Sequence, residues 1–174
     1  MPENKRGAKM AKAAVIMGSD SDWGVMQAAV KTLKSFGIEV ETHIMSAHRT
    51  PAVAGEFAEN AYKNGFGVII AAAGKAAHLA GAIAGHTILP VIGVPLCSGD
   101  LGGMDALLAT VQMPPGIPVA TMAVDGAKNA ALMAVQILAA GQPELWDKLS
   151  AYKKEMADGV AQKDAKIQQL AKEL

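Results

Sequence analysis

Short apolar runs recur along the chain at 13–17, 38–44, 68–73, 91–95 and 119–124, separated by longer stretches with helical spacing. Four runs are almost continuously apolar, the pattern of strands buried on both faces of a parallel sheet. The second alternates, with Ile38, Val40, Thr42 and Ile44 separated by Glu39, Glu41 and His43. It predicts a half-exposed edge strand with His43 facing outward. Helices are expected near 22–36, 51–64, 76–86, 103–112 and 126–140. Gly37, Gly65 and Gly141 mark their ends, and Thr50-Pro51 supplies an N-cap and a first-turn proline. Strand–helix alternation implies right-handed βαβ units. The expected fold is α/β, a three-layer α/β/α, flavodoxin-like parallel sheet of five strands in the order 2-1-3-4-5.

Beyond Gly141 the pattern changes. Leu145, Leu149, Tyr152, Met156, Val160, Ile167, Leu170 and Leu174 recur at helical spacing with no strand to follow. The expected organisation is a flexible leader at 1–12, a catalytic domain at 13–141 and a C-terminal helical extension at 142–174. That extension packs either on its own domain or on a neighbouring subunit; spacing alone leaves both open.

Composition narrows the partners. The chain is 51% hydrophobic but only 4% aromatic, so its core is built from aliphatic and small residues and can pack closely. Sixteen basic residues balance sixteen acidic ones, which argues against nucleic acid or an anionic membrane as a partner. Cys97 is the only cysteine, so no internal disulfide can form, which fits a cytoplasmic location. The polar start is followed by an apolar run too short for a signal peptide or membrane span. No His/Cys/Asp/Glu set has zinc or magnesium spacing.

In an open α/β sheet, ligands bind beyond the carboxyl ends of the strands. After the first strand, Gly18, Ser19, Ser21 and Asp22 form either an anion cradle with a ribose acceptor or an ordinary capped turn. After the second, Ser46 and Ala47 precede His48 and Arg49. Arg49 is suited to a bidentate grip on phosphate, and His48 is either a proton carrier or an idle loop histidine. After the third, Gly74, Lys75, Ala76, His78 and Leu79 admit a flat ligand, with His78 on the first helical turn. Lys75 either neutralises an anion or is a solvated charge. The loop 97–103 has the composition of a lid. His43, His86 and Cys97 are expected to be structural or solvated.

The blocks MGSDSDW at 17–23, SAHRTP at 46–51, AAHLAG at 76–81, LPVIGVP at 89–95, LLATVQMPPGIPVAT at 107–121 and GAKNAAL at 126–132 occur in order. In these the chain resembles the class I N5-carboxyaminoimidazole ribonucleotide mutases over about residues 13–140. The resemblance implies an isomerase of de novo purine (IMP) biosynthesis that needs no metal or organic cofactor. It implies a homo-octamer with active sites near subunit contacts. It further implies that Ser19, Asp22 and Arg49 bind the ribonucleotide, Ser46 and Ala47 shape the phosphate end, and His48 carries the proton. The segment Ala76 to Leu79, with His78, would line the ring and carboxylate region.

Two residues depart from the family pattern. Lys75 stands where a glycine is usual, and Ala80 where a proline is usual. The related class II enzymes, which carboxylate aminoimidazole ribonucleotide directly, tend to carry a basic residue at the first position. They also tend to have Lys at the position of Arg49 and Ser-Asn at Ala76-Ala77, and by those markers this chain sides with the mutases. A direct carboxylase is the alternative enzyme. A non-catalytic flavodoxin-like module is the alternative of another class. The third strand's end, Ala71 to Gly74, lacks the aspartate of a receiver domain, and the aromatic-poor composition disfavours a flavin site.

Overall fold

The computed structural model describes residues 12–99 and 101–174. Five strands, β1 (Lys12–Met17), β2 (Glu39–Ile44), β3 (Val68–Gly74), β4 (Val91–Leu96) and β5 (Ala120–Thr121), form one all-parallel sheet in the order 2-1-3-4-5. The helices are α1 (Trp23–Ser35), α2 (Pro51–Asn60), α3 (Leu79–Ala84), α4 (Met104–Val111), α5 (Ala127–Ala139) and α6 (Pro143–Lys172). The expected fold class is the observed one, with helices on both faces of the sheet.

Each face of the sheet is covered because the central strands, after Lys12 at the start of β1, are built of apolar and small residues. Ala14, Ile16, Ile69 and Ala71 turn to α2 and α3, where Ala54, Ala58, Leu79 and Ile83 complete a buried cluster. The alternate residues Val15, Ile70 and Ile92 are equally buried, as are Met26 and Leu33 of α1 and Ala130, Ala134 and Val135 of α5. Small residues dominate these contacts, and this is how a core with so few aromatics reaches close packing. Gly37 ends α1 as expected, whereas Gly65 ends the turn that follows α2. Each has positive φ and lets the next residue's N–H return to a carbonyl five residues back, Ile38 to Leu33 and Phe66 to Ala61, both at 3.1 Å.

Several boundaries differ from the sequence reading. Lys12 belongs to β1 and not to a leader: its ammonium pairs with Glu41 and lies 4.2 Å from the centre of the Phe66 ring. The rest of the expected leader falls outside the described residues. β2 is an edge strand, but its exposure does not alternate as expected. Ile44 is 57% exposed, while His43 is half-buried with its ring centre 5.2 Å from that of Phe57 on α2. Pairing on one side only leaves the inner and outer faces of an edge strand less distinct. α2 ends at Asn60, and a turn carries the chain to Gly65. α3 starts at Leu79, so His78 precedes the helix instead of lying in its first turn. β5 keeps only Ala120 and Thr121 of its expected run, because pairing is limited to Ile92–Ala120 and Gly93–Thr121.

The chain divides into a unit ending at Leu138 and a second from Ala139 to Leu174. The second is essentially α6, thirty residues long, with Pro143 and Glu144 in its first turn and Lys172 in its last. Those are the residue types that suit a helix start and the helix dipole. Met156, Val160, Ile167 and Leu170 on it are exposed. Among the described residues, no helix is long and apolar enough to cross a membrane.

Candidate active site

Strand register brings three loops to one edge of the sheet. Met17 pairs with Ile44 on one side and Ala72 on the other, so β2, β1 and β3 end almost level, where the strand order reverses. A cavity of about 380 Å³ opens there. Its walls include Gly18, Ser19, Asp22, Ser46, Ala47, His48, Arg49, Gly74, Lys75, Ala76 and Leu79, all expected from sequence. His78 is not on the wall; it reaches the site only through His48.

The loop after β1 is a capped turn. Asp22 accepts the Ser19 N–H at 3.0 Å, and the Ser19 hydroxyl accepts the Ser21 N–H, a reciprocal capping box. These two backbone donors are therefore engaged within the loop, the arrangement of the capped-turn alternative. The hydroxyls of Ser19 and Ser21 remain on the cavity wall. Asp22 is only 9% exposed. Burial pushes its carboxyl above the ordinary 3.8, and the Ser19 and Ser21 hydrogen bonds offset part of that rise.

The loop after β2 is closed by Ser46 and Thr50. Ser46 N–H donates to the Thr50 hydroxyl at 2.9 Å, and the Ser46 hydroxyl accepts the Arg49 N–H at 3.1 Å. Thr50 sits at the N-cap of α2 as expected, yet its side chain serves Ser46 and not the helix. This rigid turn presents Arg49 to the cavity. One arm of its guanidinium donates to the Gly18 carbonyl at 2.8 Å, which joins the first two loops.

The loop after β3 begins with Lys75 in the left-handed region at φ 53, followed by tight turns from Ala77 N–H to Lys75 and from His78 N–H to Ala76. These turns delay α3 and swing His78 toward His48. The two imidazoles meet edge-on, His48 Nε2 to His78 Nδ1 at 2.8 Å. One proton must lie between the two nitrogens, so one ring donates and the other accepts. Such a pair can hand a proton out of the cavity and take one back.

Ser21, Ala73 and Ser98 also line the cavity. Sequence spacing does not mark Ser98, which lies in the loop after β4. A side chain at Gly74 would collide with its hydroxyl, so the glycine allows Ser98 to lean over the end of β3. The loop after β4 is tied down at its start, where Asp125, itself at φ 57, accepts the Cys97 N–H at 2.9 Å. His43 contacts Glu41 and Phe57, and His86 contacts Glu59 at 3.1 Å; both lie away from the cavity.

Residues 12–159 match the family described as AIR carboxylase. The N5-carboxyaminoimidazole ribonucleotide mutase of Saccharolobus solfataricus is 54% identical over 151 residues, 87% of this chain and 96% of that protein. The enzyme of the same name from Mycobacterium tuberculosis is 51% identical over 163 residues, 94% of each chain. The crystal structure of Treponema denticola PurE is similar with a TM-score of 0.82 and 29% identity, covering 90% of this chain and 98% of that one.

Proposed function

The chain belongs to the AIR carboxylase family, and from that premise we propose that it is an N5-carboxyaminoimidazole ribonucleotide mutase of purine biosynthesis, with His48 as its proton carrier. The observation that carries the site assignment is the His48–His78 pair at the mouth of a cavity that also holds Arg49 and Asp22.

The chemistry needs little more than that. The substrate's exocyclic carbamate loses carbon dioxide, and the nitrogen left behind takes a proton from His48. The ring carbon beside the amine is then nucleophilic, in the manner of an enamine. It attacks the retained carbon dioxide, forming a carbon–carbon bond. The same histidine removes the ring proton and restores aromaticity. One proton leaves the histidine and one returns, so the cycle balances without a cofactor. The protein contributes orientation, confinement and a proton relay. His78 holds the His48 ring by its 2.8 Å hydrogen bond. Arg49 takes the phosphate with the guanidinium N–H groups not spent on Gly18. Asp22 and Ser19 face the ribose hydroxyls, and Gly74, Ala76 and Leu79 give the flat ring a wall without bulk.

Assembly follows the same reading. Met104, Leu108 and Val111 of α4 lie at helical spacing and are 55%, 50% and 46% exposed, and Ile44 and Ile88 are exposed as well. Apolar faces of this kind support a homo-oligomer, which we take to be an octamer. A single cysteine and a phosphorylated metabolic substrate support a cytoplasmic location.

Direct carboxylation of aminoimidazole ribonucleotide is the competing reading, and Lys75 on the cavity wall is the observation that favours it. Two parallel turnover assays decide between them. Rapid conversion of N5-carboxyaminoimidazole ribonucleotide without bicarbonate, with little conversion of aminoimidazole ribonucleotide at modest bicarbonate, is the expected result. The reverse pattern makes the protein a carboxylase.

A further inference from the structure

The ligand proposed above carries two anionic groups, a phosphate at one end and a carboxylate at the other. The described wall of the cavity carries one arginine and one lysine, Arg49 and Lys75, and these stand on different loops. Arg49 follows β2 and leans on the Gly18 carbonyl after β1. Lys75 follows β3, and its Cε lies 3.5 Å from the point where a Gly99 Cβ would stand, in the loop after β4. In the strand order 2-1-3-4 the loops that carry the two charges are two inter-strand spacings apart, on the order of 10 Å, and stand on either side of the end of β1. That is the scale of a ribose phosphate bearing a five-membered ring. The His48–His78 pair links the two loops from which the charges rise.

Lys75 makes no ion pair among the described residues. It also adopts φ 53, a left-handed conformation that side-chain-bearing residues seldom take. A strained residue with an unspent charge on a cavity wall has the features of a functional group.

Resting on the proposed function, we infer that Lys75 is the counter-charge of the migrating carboxyl group, binding it as the carboxylate of both substrate and product while Arg49 holds the phosphate. The kinetic consequence follows from charge. Substrate and product both present a carboxylate, whereas the carbon dioxide between them is neutral. A cation at this position favours the two end states and gives the intermediate no comparable help. Its loss therefore raises KM and kcat together, the signature of ground-state binding removed.

The test is a difference between two ligands. Affinities of the full-length protein for 4-carboxy-5-aminoimidazole ribonucleotide and for aminoimidazole ribonucleotide, which lacks the carboxylate, are measured by calorimetry. Lys75→Met should weaken the first by on the order of ten- to a hundredfold and leave the second within about twofold. Lys75→Arg should restore most of the loss. Lys75→Gly, which removes the left-handed strain with the charge, should show the same selectivity, so a misfolded Met variant does not decide the matter. Equal weakening of both ligands would move Lys75 to the phosphate, and no weakening of either would make it a bystander; each overturns the assignment alone. Failure of the unmodified protein to bind either ribonucleotide would instead remove the substrate reading, and this inference with it.

Discussion

The two ends of the sheet each carry a cavity, and the larger one is the less interesting chemically. At the amino ends of the strands, about 740 Å³ opens beside Glu59, Tyr62, His86 and Ile88. At the carboxyl ends, the cavity of about 380 Å³ holds His48, Arg49, Asp22 and Lys75. The first has a histidine–carboxylate pair, His86 with Glu59, but both partners are well exposed and satisfy one another. In the second, each loop holds the next. Arg49 bonds to the loop after β1, His48 to the loop after β3, and Ser98 leans over Gly74 from the loop after β4. Preorganisation of groups from separate strands distinguishes a catalytic crevice from a surface hollow, and volume does not.

The sharpest break of that contrast comes from His48. His48→Asn should reduce turnover by at least about a thousandfold while ligand affinity changes little, because the loop survives and the proton carrier does not. Steady-state kinetics beside calorimetry reads both; joint loss of binding and turnover in a folded variant would make His48 a binding residue. His78→Leu should lower kcat by about a hundredfold with KM nearly unchanged, since the His48 ring loses the partner that orients it. An unaffected kcat would reduce the imidazole contact to packing.

Arg49→Ala should cost about 2 kcal/mol of affinity for the phosphorylated ligand. Part of that change comes from the contact with Gly18, so ribose 5-phosphate is the useful competitor. If it competes equally well with variant and parent, Arg49 is not the phosphate ligand.

Asp22 links function to stability. Its carboxyl is raised by burial, so in the interval between the ordinary value of 3.8 and the raised folded value the native state binds the proton more tightly than the unfolded chain. Stability from this group is therefore present at low pH and is lost as pH rises through the folded value. Asp22→Asn should melt higher than the parent at pH 7, with an advantage that shrinks on acidification, and should bind ribonucleotide more weakly. Melting curves across that range would contradict the account if the advantage grew as pH fell. The smallest effect belongs to the opposite cavity, where His86→Ala should leave turnover within about twofold of the parent. A large loss there would erase the contrast between the two ends.

The sequence made most of this frame legible because its strands are buried on both faces, so four apolar runs announced themselves without regard to partners. β5 is shorter than its apolar run: apolar character persists through Met122 and Ala123, but β4 offers Thr121 the last paired position. The cavity wall was legible because one rule, loops at the carboxyl ends of strands, gathers distant residues. What that rule does not carry is who bonds to whom. His48 and His78 lie thirty residues apart, and their contact depends on the left-handed turn at Lys75. The same limit applies to Thr50, whose hydroxyl serves a neighbouring loop residue where a helix cap was the local expectation, and to Ser98, reached only through the glycine at the end of β3.

The central claim is that the carboxyl group moves within one crevice and does not come from solution. The most direct measurement supplies substrate labelled with carbon-13 in its carbamate, in buffer containing unlabelled bicarbonate, and follows the label by NMR. The account predicts that the label is retained in the ring carboxylate of the product through a single turnover. Product formed with unlabelled carboxylate, at the proportion of the surrounding bicarbonate, would contradict it.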